Sequence, residues 1–375
     1  MSLMQSALFY WHFINSIPGI GSQSLLHLTR HYIDPQQAIE APAAALLQLG
    51  LTRQAVNRIK SCAKATANNQ QWDKAKRSWE AMLEQNITPI VFGADNYPAR
   101  LAMIDDPPAM LYAKGKLTVL HEPQIAIVGS RNASHDGIAL AQAFAKELAM
   151  SGITITSGMA LGVDGSAHCG AIAGGGDTCA VLGSGVDVVY PLRHHALAQD
   201  IQRHGVLVSE YLPTTQPRPG HFPKRNRIIA GLSCGVLVVE AALKSGSLIT
   251  AKLAMEYNRE VFAIPGSIHN PRTRGCHSLI RQGAVLVETV GDILTELESS
   301  LGEYTANEPP LELTSGALTL PKNLASIVEA MGYNPISTDE LSGRLALPVY
   351  ELSGYMLELE LLDCVTAVSG GYQRR

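Results

Sequence analysis

The middle of the chain alternates between short apolar runs and longer amphipathic segments. The runs, rich in the β-branched residues that favour strands, are Gln124–Val128, Ile153–Thr156, Thr178–Leu182, Val206–Ser209, Val236–Val239, Val261–Ile264 and Ala284–Val287. Segments with helical apolar spacing lie between most of them, among them Ile138–Met150, Leu197–Arg203 and Ile249–Tyr257. Because alternating strands and helices build a parallel sheet covered on both faces, the pattern predicts an α/β fold with a Rossmann-like, doubly wound, mostly parallel sheet.

The two flanks have different patterns. Residues 1–85 predict helices, with a glycine-rich turn at Ile17–Gly21. Such a turn can present backbone N–H groups to a phosphate, as in helix-hairpin-helix modules, or can simply need glycine to be tight. Residues 321–375 predict two or three short helices and a β-wing. The expected domains are a helical domain (1–85), a Rossmann-like domain (86–295), an acidic linker (296–320) and a winged-helix-like domain (321–375).

Charge is unevenly distributed along the 375 residues. The net charge is −4, yet residues 193–281 carry twelve Lys/Arg against five Asp/Glu. Residues 291–320 carry six acids and no base, and residues 321–375 carry seven acids against four bases. This asymmetry indicates an anionic ligand in the middle of the chain and not in the tail.

Nearly every predicted strand runs into a loop that contains glycine. Gly129-Ser130-Arg131 follows the first run, Gly158 the second, and Gly246-Ser247 lies beyond the fifth. In a doubly wound sheet these loops gather at the carboxyl edge, where ligands bind and where helix N-termini attract anions. The dinucleotide fingerprint and the Walker A lysine pattern are not found. The loops therefore favour a polyanion over a single nucleotide.

The segment from His221 to Arg227 combines three cations, an amide and the Phe222 ring. A ring that stacks on a base, beside guanidinium groups that bind phosphates, is typical of single-strand binding. The alternative is that the arginines cap and salt-bridge the start of a helix. Because the segment follows the glycine loops, we interpret 218–227 as a basic loop at the same rim.

Catalysis finds little support in the sequence. Asp164 and His168 have the spacing of an ordinary i,i+4 helix pair, and Glu240 fits capping or pairing with an arginine better than the role of a general base. The six cysteines form no C-x-x-C pair, which is typical of reduced cytosolic thiols, and no metal or cofactor is expected. No signal peptide or run of transmembrane length is present, so we expect a cytoplasmic protein that does not bind membranes.

Five motifs occur in order along the predicted sheet region. They are Ile127-Val128-Gly129-Ser130-Arg131, Ser157-Gly158-Met159-Ala160-x-Gly162-Val163-Asp164, Leu182-Gly183-Ser184-Gly185-Val186-Asp187, His221-Phe222-Pro223-x-Arg225-Asn226-Arg227 and Ser245-Gly246-Ser247-x-x-Thr250-Ala251. Together they resemble the DNA-processing protein A family (DprA, also called Smf) over about 95–290. The N-terminal helices resemble the sterile-alpha-motif-like domain of some members, and 321–375 resembles their winged-helix tail.

The resemblance implies a protein without enzymatic activity that binds and protects single-stranded DNA in natural transformation and recombination. It also implies that the protein loads the RecA recombinase, displaces single-strand-binding protein and forms a homodimer through the Rossmann-like domain. Arg131 matches the family's DNA-contacting arginine, and Phe222 lies in the His-Phe stretch near which members stack a base. Arg218 and Arg193 are both candidates for the second basic contact. The DNA-binding candidates are Gly129, Ser130, Arg131, Gly158, Arg193, Arg218, His221, Phe222, Lys224, Arg225, Asn226, Arg227, Gly246 and Ser247.

Two other functions stay open at this point. The fold also resembles phosphoribohydrolases that cleave nucleoside monophosphates, although the stretch from Glu240 to Thr250 lacks their paired glycines and catalytic glutamate. A scaffold that binds only proteins is the third alternative. In the tail, the helix expected to begin at Leu347–Tyr350 carries glutamates and no Lys or Arg. We therefore interpret the tail as a protein-interaction or packing domain in preference to a DNA-binding one.

Overall fold

The protein is described by a computed structural model, which gives residues 3–64, 70–301, 321–332, 335–362, 364–368 and 370–374. They form two compact units, one within 1–308 and one within 309–375. Within these ranges no helix combines the length and apolar character needed to cross a bilayer. Most of the predicted acidic linker, from residue 302 to 320, lies outside the described residues.

The described residues among 1–85 form six helices, which confirms the predicted helical N-terminus. They are α1 (Leu3–Ser16), α2 (Ser22–His31), α3 (Pro35–Glu40), α4 (Ala43–Gln48), α5 (Arg53–Lys64) and α6 (Gln70–Glu84). Between α1 and α2, Gly19 has a φ of +92° and Arg58 donates a hydrogen bond to the carbonyl of Pro18. The glycine-rich turn is therefore a tight connection between two helices, and its Pro18 carbonyl accepts a hydrogen bond from within the protein.

The N-terminal helices share a core with the sheet that follows. Phe13 and Trp79 belong to the same buried apolar cluster as Tyr112 of the sheet. The Tyr112 hydroxyl lies 3.1 Å from Nδ1 of the buried His12 and accepts a 3.1 Å bond from Nδ2 of Asn15. Residues on both sides of the expected boundary at 85 thus belong to one compact unit.

The sheet has nine strands in the order β1-β2-β6-β5-β4-β3-β7-β8-β9. The strands are β1 (Thr88–Val91), β2 (Met110–Gly115), β3 (Gln124–Val128), β4 (Thr154–Ser157), β5 (Thr178–Val181), β6 (Gly205–Ser209), β7 (Gly235–Val238), β8 (Glu260–Ala263) and β9 (Val285–Leu286). From β6 to β9 the pairing is parallel. The predicted mostly parallel sheet is confirmed, and β1 and β2 add an antiparallel edge.

Helices cover both faces of the sheet. They are α7 (Ala99–Ala102), α8 (His135–Met150), α9 (Val163–Ala173), α10 (His195–His204), α11 (His221–Leu232), α12 (Ser247–Glu256), α13 (Arg274–Arg281) and α14 (Val290–Leu301). In β3, Ile125 and Ile127 pack in one apolar cluster with α8 and α9, whereas Ala126 and Val128 pack in another with α11 and α12. This alternation is the two-residue period of a strand buried on both faces.

Helix α14 continues past residue 295, the expected end of the Rossmann-like domain. Ile293 and Leu297 on this helix are both fully buried in the cluster that covers β3. Residues 296–301 are therefore part of the sheet unit and not of a linker.

The described residues of the second unit form three helices and a hairpin. Helices α15 (Lys322–Met331), α16 (Thr338–Leu345) and α17 (Val349–Leu361) precede the antiparallel strands β10 (Val365–Val368) and β11 (Gly371–Arg374). The Ser337 side chain accepts the N–H of Glu340, which caps α16. This is the predicted helical tail with a β-wing.

Candidate nucleic-acid interface

The strand order of the sheet reverses between β3 and β7. The chain leaves β3 toward β4 on one side and reaches β7 on the other, so the loops after these strands diverge. The Ser130 N–H donates to the Glu240 carbonyl at 2.7 Å, and the Val163 N–H donates to the Ser130 carbonyl at 3.2 Å. A Cβ on Gly129 would come within 2.6 Å of Val163. Glycine therefore lets the first rim loop lie against the start of α9.

A cleft of about 690 Å³ opens at this switch point. It brings together many of the predicted site residues, which come from the loops after β3, β6 and β7 and from helix α11. Among its lining residues are Gly129, Ser130, Arg131, Arg218, Phe222, Arg225, Asn226, Gly246 and Ser247. Arg131 and Arg218 are exposed cations, and the first turn of α12 at Gly246-Ser247 presents a helix N-terminus.

An aromatic and cationic cluster stands on one side of the cleft. The guanidinium carbon of Arg131 lies 5.4 Å from the centre of the Phe222 ring, a cation–π distance. The Tyr190 ring centre is 5.6 Å from that of Phe222, and Tyr190 is 47% exposed. A Cβ on Gly183 would come within 2.9 Å of the Phe222 ring, so the glycine leaves room for the ring to pack against the backbone.

The basic segment itself is helical, which corrects our interpretation of 218–227 as a loop. Helix α11 begins at His221. Nδ1 of His221 lies 3.1 Å from the Gly183 carbonyl, and its ring stacks on Tyr211 at 4.0 Å. His221 therefore anchors the start of α11 and leaves Phe222 facing the cleft.

Arg225 is buried, contrary to its predicted place among the phosphate contacts. It is only 4% exposed, and its guanidinium donates to the carbonyls of Gly158, at 2.6 Å, and Val181. A Cβ on Gly158 would overlap this guanidinium, so the glycine at this position makes room for Arg225. Burial lowers the pKa of Arg225 to about 10, opposed by the nearby charge of Asp164, which leaves the group protonated at neutral pH.

Arg227 is also buried, and its charge is paired within the protein. It is 8% exposed and pairs with Glu210 and with Asp106 on a groove that faces the N-terminal helices. Lys224 is exposed but lines that same groove and not the cleft. Arg193 is exposed on a short 3-10 helix, Leu192–His194, and is not among the residues that line the cleft. Of the two candidates for a second basic contact, only Arg218 lines it.

Helices α11 and α12 meet at the other side of the cleft. The Asn226 side chain donates to the Gly246 carbonyl at 3.3 Å, and the hydroxyls of Ser245 and Ser247 lie 2.7 Å apart. Lys244, an exposed lining residue, precedes this turn. Lys244 and Tyr190 are not among the sequence-based candidates, although both lie in glycine-containing loops that follow predicted strands.

Two carboxylates at the rim, Glu240 and Asp164, accept hydrogen bonds from neighbouring loops. Glu240 accepts the backbone N–H and the hydroxyl of Ser134, both at 2.8 Å, and Ser134 in turn caps α8. Asp164 accepts the Ala160 N–H at 3.3 Å. Burial raises the pKa of the Asp164 carboxyl, while the charge of Arg225 opposes that rise. Asp164 does not form the predicted pair with His168, whose Nδ1 lies 2.7 Å from the Thr178 hydroxyl.

Comparison with known families agrees with this architecture. The family model for DNA recombination-mediator protein A matches residues 88–298, more than half of the chain. The DprA winged helix domain matches residues 312–371. The chain belongs to the DprA/Smf family. Protein Smf of Escherichia coli is 38% identical over 370 residues, covering 97% of this chain and 95% of that protein.

Other DprA proteins are similar over shorter spans. DNA processing protein DprA of Bacillus subtilis is 41% identical, over 72% of this chain and 90% of its own length. The X-ray structure of DprA from Streptococcus pneumoniae aligns with a TM-score of 0.65 and 34% identity, over 77% of this chain and 97% of that one. A Helicobacter pylori DprA structure, described for its single-stranded DNA binding mode, aligns with a TM-score of 0.52 and 30% identity, over 57% of this chain and 96% of that one.

Proposed function

We propose that this protein binds single-stranded DNA in the cleft at the switch point of its sheet. The observation that carries the proposal is the cluster of Arg131, Phe222 and half-exposed Tyr190 on one wall of that cleft. An aromatic ring beside a guanidinium group can stack on a base while the cation binds the adjoining phosphate. Exposed Arg218 and Lys244 and the N-terminus of α12 supply further phosphate contacts along the same cleft.

The proposed ligand is a single strand because stacking needs an unpaired base. In a duplex the base faces are covered by their neighbours, so a side-chain ring reaches one only after unstacking. The rings of Phe222 and Tyr190 line the same cleft as the exposed cations. A flexible single strand can therefore contact the rings with its bases and the cations with its phosphates. The described DNA-binding mode of the Helicobacter pylori relative supports the same ligand for this chain.

The wider role that we propose follows from family membership. The protein acts in recombination of incoming DNA during natural transformation, where it protects the strand and loads RecA onto it in place of single-strand-binding protein. It does so in the cytoplasm, as a homodimer formed through the sheet unit. Family membership supports this role.

The enzyme alternative is disfavoured by what the carboxylates do. A phosphoribohydrolase needs a carboxylate directed at the substrate, whereas Glu240 holds Ser134 and Asp164 holds the Ala160 N–H. We therefore expect no base release when the protein is incubated with nucleoside monophosphates. Release of free base above the level given by buffer would favour the enzyme.

A competition experiment tests the proposed function. A fluorescent oligonucleotide is bound to the protein, and unlabelled single strands or duplexes of equal length compete across a salt series. We expect the single strand to compete at least tenfold better, and binding to weaken with salt because phosphate contacts release counterions. Equal competition by the duplex, or an affinity that does not change with salt concentration, would contradict the proposal.

Replacing Phe222 tests the stacking contact. Phe222→Ala should lower single-strand affinity by about 1–3 kcal/mol, the usual cost of removing a stacked ring. The salt dependence should hardly change, because stacking releases no counterions. Tyr350→Ala, which removes a 76% exposed ring in the second unit, is the matched control and should bind normally. A Phe222→Ala protein that binds normally but melts earlier would show that the ring serves only packing.

Removing the second unit tests whether DNA affinity lies in the first. Residues 309–375 carry eight acidic and four basic residues. A chain ending at 308 should keep single-strand affinity, or gain slightly at low salt, because negative charge is removed. An end near Thr295 would instead remove the buried Leu297 and damage the fold. A tenfold loss of affinity for the folded 1–308 chain would place DNA contacts in the tail.

A further inference from the structure

Helix α17 of the second unit carries apolar side chains on its solvent face. Tyr350 is 76% exposed, Leu357 59% and Leu361 80%. Together with exposed Gly354 they recur at spacings of four, three and four residues, which places them in one line along a helix. We call these four residues the apolar stripe.

The fold of the second unit does not require this stripe. Leu352, Met356 and Leu359 of α17 are fully buried and supply the helix's contribution to the core. At 100° per residue these three lie on the opposite side of the helix from the stripe. A helix on the surface of a small domain needs one apolar face, so a second one points to a binding partner.

The centre of the stripe is a notch. A Cβ on Gly354 would meet no heavy atom within 4 Å, so glycine is not needed there for packing. Glycine in a helix interior is unfavourable by about 1 kcal/mol relative to alanine. Between Tyr350 and Leu357 it leaves a gap into which a side chain of another helix can insert.

The charges beside the stripe are all acidic. Glu351 and Glu358, seven residues apart, flank it on one side, and Glu360 flanks it on the other; all three are exposed. The Tyr350 hydroxyl donates to Glu351 at 3.2 Å, which sets the ring beside the carboxylate. Helix α17 has no Lys or Arg. A DNA phosphate would be repelled here, whereas a cationic protein segment would be attracted.

We propose that the apolar stripe of α17 docks a cationic amphipathic helix of a partner protein. The partner presents apolar residues at i, i+3 or i+4 and i+7, and one of them fills the notch at Gly354. Lys or Arg residues beside those anchors pair with Glu351 and Glu358 on one side and with Glu360 on the other. The helix at the position that reads DNA in other winged-helix domains is thus a protein-binding helix in this chain.

Selection from a peptide library tests the proposal even though the partner protein is unidentified. Helical peptides of random sequence, displayed on phage, are selected on the full-length protein, and the enriched peptides are synthesised and titrated. We expect enrichment of amphipathic sequences with Lys or Arg beside the apolar anchors. Their affinity should fall at least tenfold with Leu357→Asp, and Glu358→Gln should weaken binding and reduce its salt dependence.

A pair of glycine variants separates docking from folding. Gly354→Ala fills the notch, whereas Gly343→Ala alters an exposed glycine of α16 that also has open space around it. Both variants should fold and melt no earlier than the parent protein. Only Gly354→Ala should weaken peptide binding, by at least fivefold.

Several results would overturn the proposal. They are a selection without enrichment, enriched peptides that are not cationic, and equal peptide affinity for Gly354→Ala and Gly343→Ala. Duplex DNA binding that is lost with Leu357→Asp would assign the helix to DNA. A change in sedimentation of the protein alone with Leu357→Asp would assign the stripe to self-association.

Discussion

Arg131→Glu should weaken single-strand binding by about 2 kcal/mol or more, roughly 30-fold in affinity. The Arg131 side chain is exposed at the rim and lies 5.4 Å from the Phe222 ring. The substitution replaces a charge-assisted phosphate contact with repulsion. It also removes the cation beside the stacking ring. Titration of a fluorescent oligonucleotide measures the loss, and circular dichroism checks the fold.

Arg193→Glu is the matched control for that variant. Arg193 is also an exposed arginine of the first unit, but it does not line the cleft. The same charge reversal should therefore lower single-strand affinity only slightly. It removes a weak, long-range attraction between Arg193 and the DNA, and salt screens that attraction. If the two variants lose equal affinity, general charge and not the cleft determines binding.

Arg225→Ala should destabilise the protein by about 3–6 kcal/mol, because two carbonyls lose a buried charged donor and each such hydrogen bond contributes about 1.5–3 kcal/mol. Arg225 connects α11 to the loop after β4 through the carbonyl of Gly158 and to the end of β5 through the carbonyl of Val181. Its loss leaves those carbonyls and the buried Asp164 without their cation. Chemical denaturation measures the free energy of unfolding.

The neighbouring Lys224→Ala is the control for Arg225→Ala. Lys224 is exposed, and none of the described ion pairs includes it, so its loss should change stability by less than about 0.5 kcal/mol. An Arg225→Ala protein of normal stability, with a flatter salt dependence of DNA binding, would show that Arg225 is a phosphate contact after all.

The parallel strands could be predicted because each is buried on both faces. Such strands are continuous apolar runs bounded by glycine, and the run Gln124–Val128 coincides with β3 to the residue. Strands β1 and β2 were missed because they are antiparallel and lie outside the strand–helix alternation. The sequence does not predict that α14 extends past residue 295, because the acidic residues Glu296 and Glu298 are typical of the linker that follows. Leu297 between them is nevertheless buried.

The position of the cleft could be predicted, but the direction of individual cations could not. Glycine loops after parallel strands must meet at one edge, and they do so around the cleft at the switch point. Within α11, however, Lys224, Arg225 and Arg227 point in three directions, since successive helical residues are about 100° apart. Which of them faces solvent depends on partners distant in sequence, such as Asp106 for Arg227.

Photo-crosslinking of a single strand to the full-length protein tests the central claim most directly. The crosslinked peptides are identified by mass spectrometry after digestion of the irradiated complex. Our account predicts crosslinks to Tyr190, to Phe222 and to the loops that carry Arg131, Arg218 and Lys244, all of which line the cleft. Crosslinks concentrated instead in the N-terminal turn at 17–21, or in α17, would contradict the assignment of the single strand to the switch-point cleft.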